Sequence, residues 1–217
     1  MSKEISILQN EAVELLKELI ATPSFSKEED QTAGILCRFL GNKDIVHTRV
    51  GNNVFALNRH FDEKKSTILL NSHHDTVKPN PQYSNDPFNP AIEEGKLFGL
   101  GSNDAGGCLV SLIAVILHFC NKQDLKYNLI LAATAEEEIS GSGGIEYTLP
   151  YLPKIDFAIV GEPTQMQMVR HLLYASTHSR PISQEIYRRL NNLKDKVEPA
   201  AIQALRDRAC LYLKLPN

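Results

Sequence analysis

The sequence predicts an α/β fold built on a largely parallel central sheet, and three observations carry that prediction. Three short apolar runs rich in branched residues, Thr67–Asn71, Tyr127–Thr134 and Lys154–Val160, read as buried strands. Helical segments separate successive runs, as the crossovers of a parallel sheet require. Each run also stops abruptly at residues that carry chemistry. These are Ser72-His73-His74-Asp75, then Ala135-Glu136-Glu137-Glu138, then Gly161-Glu162-Pro163-Thr164. Parallel strands bring such ends to one edge of the sheet, where open α/β folds build their sites.

The elements follow in order. Ile5, Leu8, Ala12, Leu15, Leu16 and Leu19 form an apolar stripe, so Ser6–Leu19 is expected to be the first helix. The loop Ala21–Ser26 breaks it. Glu28, Glu29 and Asp30 open a second helix to about Leu40, with acids in the favourable first turn, and Gly41 stops it. Ile45–Val50 and Asn53–Asn58 read as a hairpin through Gly51-Asn52. The central strand follows a charged turn. The stretch from Lys78 to Gly101 reads as one long loop, with Pro79, Pro81, Pro87 and Pro90, serving either as the wall of a cleft or as cover over a sheet edge. Gly99–Gly107 leads into the apolar Cys108–Phe119, expected to be a helix buried against the sheet. Asp104 falls at its start, where an acid can be a plain cap. Ser140–Gly144 starts a short helix, Ile145–Leu149.

Bulk properties exclude several classes. The chain has 217 residues, enough for one good-sized domain or a domain with an appendage. A formal net charge of -3 gives no reason to expect nucleic acid or membrane as a partner. The longest apolar stretch, Cys108–Cys120, is short for a bilayer and contains His118. The N-terminus shows no secretory apolar region. The 4 cysteines, Cys37, Cys108, Cys120 and Cys210, are scattered without Cys-x-x-Cys spacing, so reduced thiols and a cytoplasmic location are expected.

If the strands are parallel, His73, Asp75, Glu137, Glu138 and Glu162 share one sheet edge with Asp104. One imidazole among carboxylates fits zinc or a similar divalent ion, and a shared carboxylate such as Asp104 can hold two ions together. His73 is the first expected ligand. Asp75 stands two residues on, on the same side of an extended segment, placed to orient His73 through its second ring nitrogen. His74 should point the other way and is expected to be a packed or surface histidine. Glu137 and Glu138 are neighbours, so one can bind metal while the other takes a proton from water.

These motifs resemble the zinc-dependent peptidase family M20, in its acetylornithine deacetylase and succinyl-diaminopimelate desuccinylase branch. His73-His74-Asp75-Thr76-Val77 matches the family's His-x-Asp-x-Val. Gly99–Gly107 resembles its Gly-x-Gly-x-x-Asp-x-Lys-Gly-Gly, shortened by one residue. Glu136-Glu137-Glu138 is similar to its acidic triplet, and Gly161-Glu162-Pro163-Thr164 to the version typical of that branch. The resemblance implies a three-layer catalytic domain and two zinc ions, with cobalt as an alternative. It implies His73 and Glu162 on one ion, Asp104 as bridge and Glu138 on the second. It further implies Glu137 as general base and Asp75 as the residue orienting His73. The implied reaction is hydrolysis of an N-acyl amino acid such as N-acetyl-ornithine, in arginine biosynthesis.

The chain also departs from the family pattern. Family members carry an inserted small dimerisation domain and a returning catalytic segment with a last histidine ligand. The residues after Met168 match neither, so residues 1–165 are expected to form an incomplete N-terminal part of the catalytic domain. Residues 166–217 are expected to be an atypical basic helical tail, with helices over Ile182–Leu193 and Ala200–Leu213. Glycine is absent from Met166 onward, and basic residues there outnumber acidic ones. A frameshifted or truncated gene is one expectation, a genuine divergent helical element the other. The second metal site is expected to be incomplete unless His171 or His178 serves it, and the family's dimerisation is expected to be absent. Two other readings stay open, an inactive remnant or binding protein and a zinc aminopeptidase or dipeptidase.

Overall fold

The computed structural model of the chain describes residues 3–164. The helical tail expected over 166–217 lies outside the described residues, as do His171, His178 and Cys210. The described residues up to Glu162 belong to one compact unit.

Helix α1 runs over Lys3–Ile20 and buries Leu8, Leu15, Leu16, Leu19 and Ile20, the stripe its periodicity announces. Helix α2, Asp30–Gly41, buries Thr32, Ala33, Ile35, Leu36 and Leu40. Strands β1 (His47–Val50) and β2 (Asn53–Leu57) form the expected hairpin, with Gly51 at φ +61 in the turn. The central strand β3 spans Thr67–His73. Within the stretch read as one loop, β4 (Ala91–Glu93) and β5 (Lys96–Phe98) make a small separate hairpin. Its turn residues Glu94 and Gly95 both have positive φ, the geometry of a tight hairpin turn. Strands of three residues are too short to show alternation in the sequence.

An irregular turn, Ser102–Gly107, leads into helix α3, Cys108–Phe119. Strand β6 covers Asn128–Thr134. Helix α4 (Ile145–Thr148) passes into a short 3-10 turn at Leu149–Tyr151, and β7 is Phe157–Val160. This last strand starts later than the expected Lys154. Just before it, Asp156 bonds Thr67 twice, its N–H donating to Thr67 O at 3.0 Å and its carboxylate accepting Thr67 N–H at 2.9 Å.

The strand order is β1-β2-β6-β3-β7. β3 pairs in parallel with β6 on one side and β7 on the other, while β2 runs antiparallel to β6. The parallel part is therefore the three site-bearing strands, and the hairpin closes one edge. Alternate side chains divide between the two faces. Val54, Ala56, Leu70, Leu131 and Ala133 meet α1, α2 and α3 in the main core. Phe55, Leu69, Ile130 and Ala132 face the other way, under a thinner cover from Phe61, Ile145, Leu152 and Ile155. Each fully buried Leu or Ile contributes roughly 1.5–3 kcal/mol, so both faces hold β3 in place. Ser102–Phe119 is apolar enough over 18 residues to cross a bilayer by length and composition. Its first turn, however, leaves helical geometry at Asp104 and Ala105, and α3 packs into the core of the sheet.

Candidate metal centre

His73 is the last residue of β3, its ring fully buried and its backbone in register with Thr134 of β6. Nδ1 lies 2.9 Å from the Asp75 carbonyl oxygen and 3.3 Å from Asp75 Oδ1. Both atoms are acceptors, so Nδ1 carries the proton and Nε2 faces the site. Around Nε2 stand Asp104 Oδ1 at 3.3 Å, Glu137 Oε2 at 3.8 Å and Glu162 Oε2 at 3.9 Å. Burial by itself would lower the His73 pKa. The hydrogen bond to Asp75 and the charges of Asp75, Glu162 and Glu137 outweigh it and push the imidazole up to about 9.

The loop after β6 is held by its backbone. Four successive amides donate to side chains brought from elsewhere. Ala135 N donates to Asn53 Oδ1 at 3.0 Å and Glu136 N to Glu29 Oε1 at 3.1 Å. Glu137 N and Glu138 N donate to Asp75 Oδ1 and Oδ2 at 3.1 and 3.2 Å. Asp75 also accepts Ser26 Oγ–H at 2.7 Å. Burial tends to raise the Asp75 pKa, but these bonds and the His73 charge hold it below the usual carboxylate range. The three acids thus divide. Glu136 turns back, accepting Gly143 N at 3.2 Å, while Glu137 approaches His73 and Glu138 joins the cluster.

Asp104 is aimed by glycine-dependent packing. Gly101 has φ +76, and a Cβ there would stand 2.6 Å from Thr76 Cγ2. A Cβ on Gly106 would meet Gly101 O at 2.5 Å and Leu16 Cδ1 at 2.6 Å. The turn can therefore press against α1 and leave Asp104 off the helix. The N-cap of α3 is Gly107, three residues after Asp104, whose Oδ1 faces His73 Nε2 at 3.3 Å.

His73, Asp104 and Glu138 each offer a ligand atom, and these atoms lie within 4.8 Å of one another. Ligands at Zn–N and Zn–O distances of about 2.1 Å in tetrahedral array stand roughly 3.4 Å apart, and His73 Nε2 and Asp104 Oδ1 are 3.3 Å apart. Glu162 adjoins this triad through His73. Burial first, then the charges of Glu137, Asp104 and Glu138, push Glu162 up to about 7 against the lowering by His73. Burial and the Asp104 charge also raise Glu138. One imidazolium leaves most of the charge of four neighbouring acids unanswered, and divalent cations would offset it. The donor set fits such an ion.

His74 is packed away from the site. Its Nε2–H donates to Asn52 O and its Nδ1 accepts from Thr32 Oγ1, both at 2.9 Å. Burial lowers its pKa, so the ring is neutral. Sequence reasoning did not single out Ser26, Glu29, Asn52 or Asn53 as supports of the site. Their partners lie far away in the chain, 107 positions for Glu29 and Glu136, and no local pattern marks them.

Peptidase family M20/M25/M40 matches residues 69–207. Acetylornithine deacetylase of Proteus mirabilis is 33% identical over 173 residues, 73% of this chain and 44% of that protein. Acetylornithine deacetylase of Shigella sonnei is 32% identical over 170 residues, with the same coverages of 73% and 44%. The chain spans less than half the length of these curated relatives. Among solved structures, human carnosine dipeptidase 1 superposes with a TM-score of 0.60 at 20% identity, over 73% of this chain and 39% of that one. An M20 family metallo-carboxypeptidase of Sulfolobus solfataricus gives a TM-score of 0.56 at 25% identity, over 74% and 37%. From the matched residues and the shared fold, the chain belongs to peptidase family M20/M25/M40.

Proposed function

We propose that the chain carries the site for metal-dependent hydrolysis of the amide bond of an N-acyl amino acid, in the manner of an acetylornithine deacetylase. The observation that carries this reading is the convergence of His73, Asp104 and Glu138 to within 4.8 Å, with Glu137 and Glu162 beside His73. The names of the two bacterial relatives support N-acetyl-ornithine as substrate and a step of arginine biosynthesis.

The proposed ligands are His73 and Glu162 for one zinc ion, Glu138 for a second, and Asp104 shared between them. Divalent ions held there supply Lewis acidity toward the scissile carbonyl and make an attacking water more acidic. Asp75 keeps the proton of His73 on Nδ1, so that Nε2 stays directed into the site. Glu137 takes the proton of the attacking water and returns it to the leaving nitrogen as the carbon–nitrogen bond breaks. Its side chain is 53% exposed, open to an entering substrate. The products are a carboxylate and a free amine.

The test is an assay of the 217-residue chain, loaded with Zn2+ or Co2+, on N-acetyl-ornithine and on Leu-p-nitroanilide. Hydrolysis of the first is expected. Glu137→Gln should remove it by about 100-fold or more, in keeping with loss of a general base, while metal content stays near wild type. Metal lost together with activity would overturn the division between Glu137 and Glu138. Activity on the free-amine substrate alone would assign an aminopeptidase. A fully loaded chain inactive on both would leave a binding role.

A further inference from the structure

Three consecutive acids, Glu28, Glu29 and Asp30, open α2, and the structure treats them differently. Glu28 and Asp30 are exposed, whereas Glu29 is 0% exposed. Its carboxylate makes no ion pair among the described residues. Every partner it has is an N–H donor. Oε1 accepts Lys27 N at 2.7 Å and Glu136 N at 3.1 Å, and Oε2 accepts Asn52 Nδ2 at 2.9 Å.

The two backbone donors share a further property. Lys27 has φ +76 and Glu136 has φ +53, both in the left-handed region. A residue with a Cβ stays there only where contacts hold it. One oxygen of Glu29 holds both. Glu136 is the pivot at which the chain leaves β6 and throws its next two side chains toward His73. Asp75 grips the amides of Glu137 and Glu138, and Glu29 grips the one before them. Asn52 extends the same network, since its carbonyl oxygen receives His74 Nε2–H next to His73.

We propose that Glu29 is a positioning residue for the acidic loop: its buried oxygen fixes the Glu136 backbone and so aims Glu137 and Glu138 at the metal cluster. The inference rests on the metal-site reading above. What matters is an acceptor on the amides of Lys27 and Glu136. Glutamine at this position keeps one such oxygen, while alanine has none. Aspartate keeps the charge but stops one methylene short of Glu136.

The experiment compares wild type, Glu29→Gln, Glu29→Ala and Glu29→Asp in the full chain. Cobalt ion alone is the metal probe, read by titration of its visible absorption. Amide exchange at Glu136 is followed without metal, and urea unfolding reports global stability. Glu29→Ala is expected to weaken Co2+ binding by about 10-fold, as loss of a support behind a ligand does, and to expose the Glu136 amide. Glu29→Asp should do the same more mildly and serves if the alanine variant does not fold. Glu29→Gln should stay closer to wild type than either, because its oxygen keeps both backbone bonds and its amide nitrogen gives up only the Asn52 contact. Wild-type Co2+ affinity in a folded alanine or aspartate variant would overturn the proposal, as would an unchanged exchange rate at Glu136. If wild type itself binds no Co2+ but Glu136 loses protection on removing Glu29, the metal reading fails and the hold on the loop stands.

Discussion

Asp75 has no exposed surface, yet it serves four separate groups. It fixes the tautomer of His73, accepts Ser26, and receives the amides of Glu137 and Glu138. A carboxylate suits this because every partner around it donates. Asparagine has the same shape but turns a donor toward one of those donors, leaving a buried polar group unpaired. Asp75→Asn should therefore weaken Zn2+ binding by about 10–100-fold, measured by competition with a chelating dye, with the secondary structure intact by circular dichroism. Unchanged affinity would show that His73 needs no support from the Asp75 carboxylate beyond that of the Asp75 backbone carbonyl. The importance of Asp75 was legible in the sequence, because it stands two residues from His73 on an extended segment. Glu29 was not, because an acid in a first helical turn reads equally well as a partner of the helix dipole. The structure puts Asp30 in the first turn, Glu29 at the N-cap and Glu28 before it, and buries only Glu29.

At the scale of elements, the strand ends were readable and the glycine turn was only half readable. Apolar runs that stop at histidine or acid place the chemistry at the tips of β3, β6 and β7, because parallel pairing follows from the helices between them. The turn before α3 was recognisable as glycine-rich, but its need for glycine comes from Leu16 of a helix some ninety positions earlier, which no local pattern reports. The hairpin of β4 and β5 escaped for a different reason, its three-residue strands being shorter than one repeat of the pattern. Two glycines now give opposite predictions. Gly106→Ala puts a methyl 2.5 Å from Gly101 O and 2.6 Å from Leu16 Cδ1. It should cost about 1–3 kcal/mol in urea unfolding and also weaken metal binding, since Asp104 moves with the turn. Gly34 lies inside α2 with nothing within 4 Å of a built Cβ. Gly34→Ala should raise stability by about 0.5–1 kcal/mol and leave the metal site alone. A destabilised Gly34→Ala would show that α2 packs more tightly at that position than its surroundings indicate.

For the whole described fold, the sheet sets a conflict that its own residues do not resolve. Three parallel strands and the turn before α3 bring Asp104, Glu137, Glu138 and Glu162 to one edge around His73. The upward shifts of Glu138 and Glu162, from burial and from their neighbours' charge, show that this edge resists ionisation. Packing on both faces of the sheet bears that cost, as strands fixed by a core can. An ion that binds only the folded chain reverses the balance, adding about 2.7 kcal/mol at 100 times its Kd. Zn2+ is therefore expected to raise the melting temperature, and a chelator to return it to the metal-free value. Asp104 decides whether that gain arises at this edge, since its Oδ1 stands 3.3 Å from His73 Nε2 within the candidate ligand triad. Asp104→Asn should lose most of the Zn2+-dependent gain, while its metal-free melting temperature equals or exceeds that of wild type because one repelling charge is gone. Equal gains in variant and wild type would place the ion elsewhere, and the acids at this edge would then need another cation.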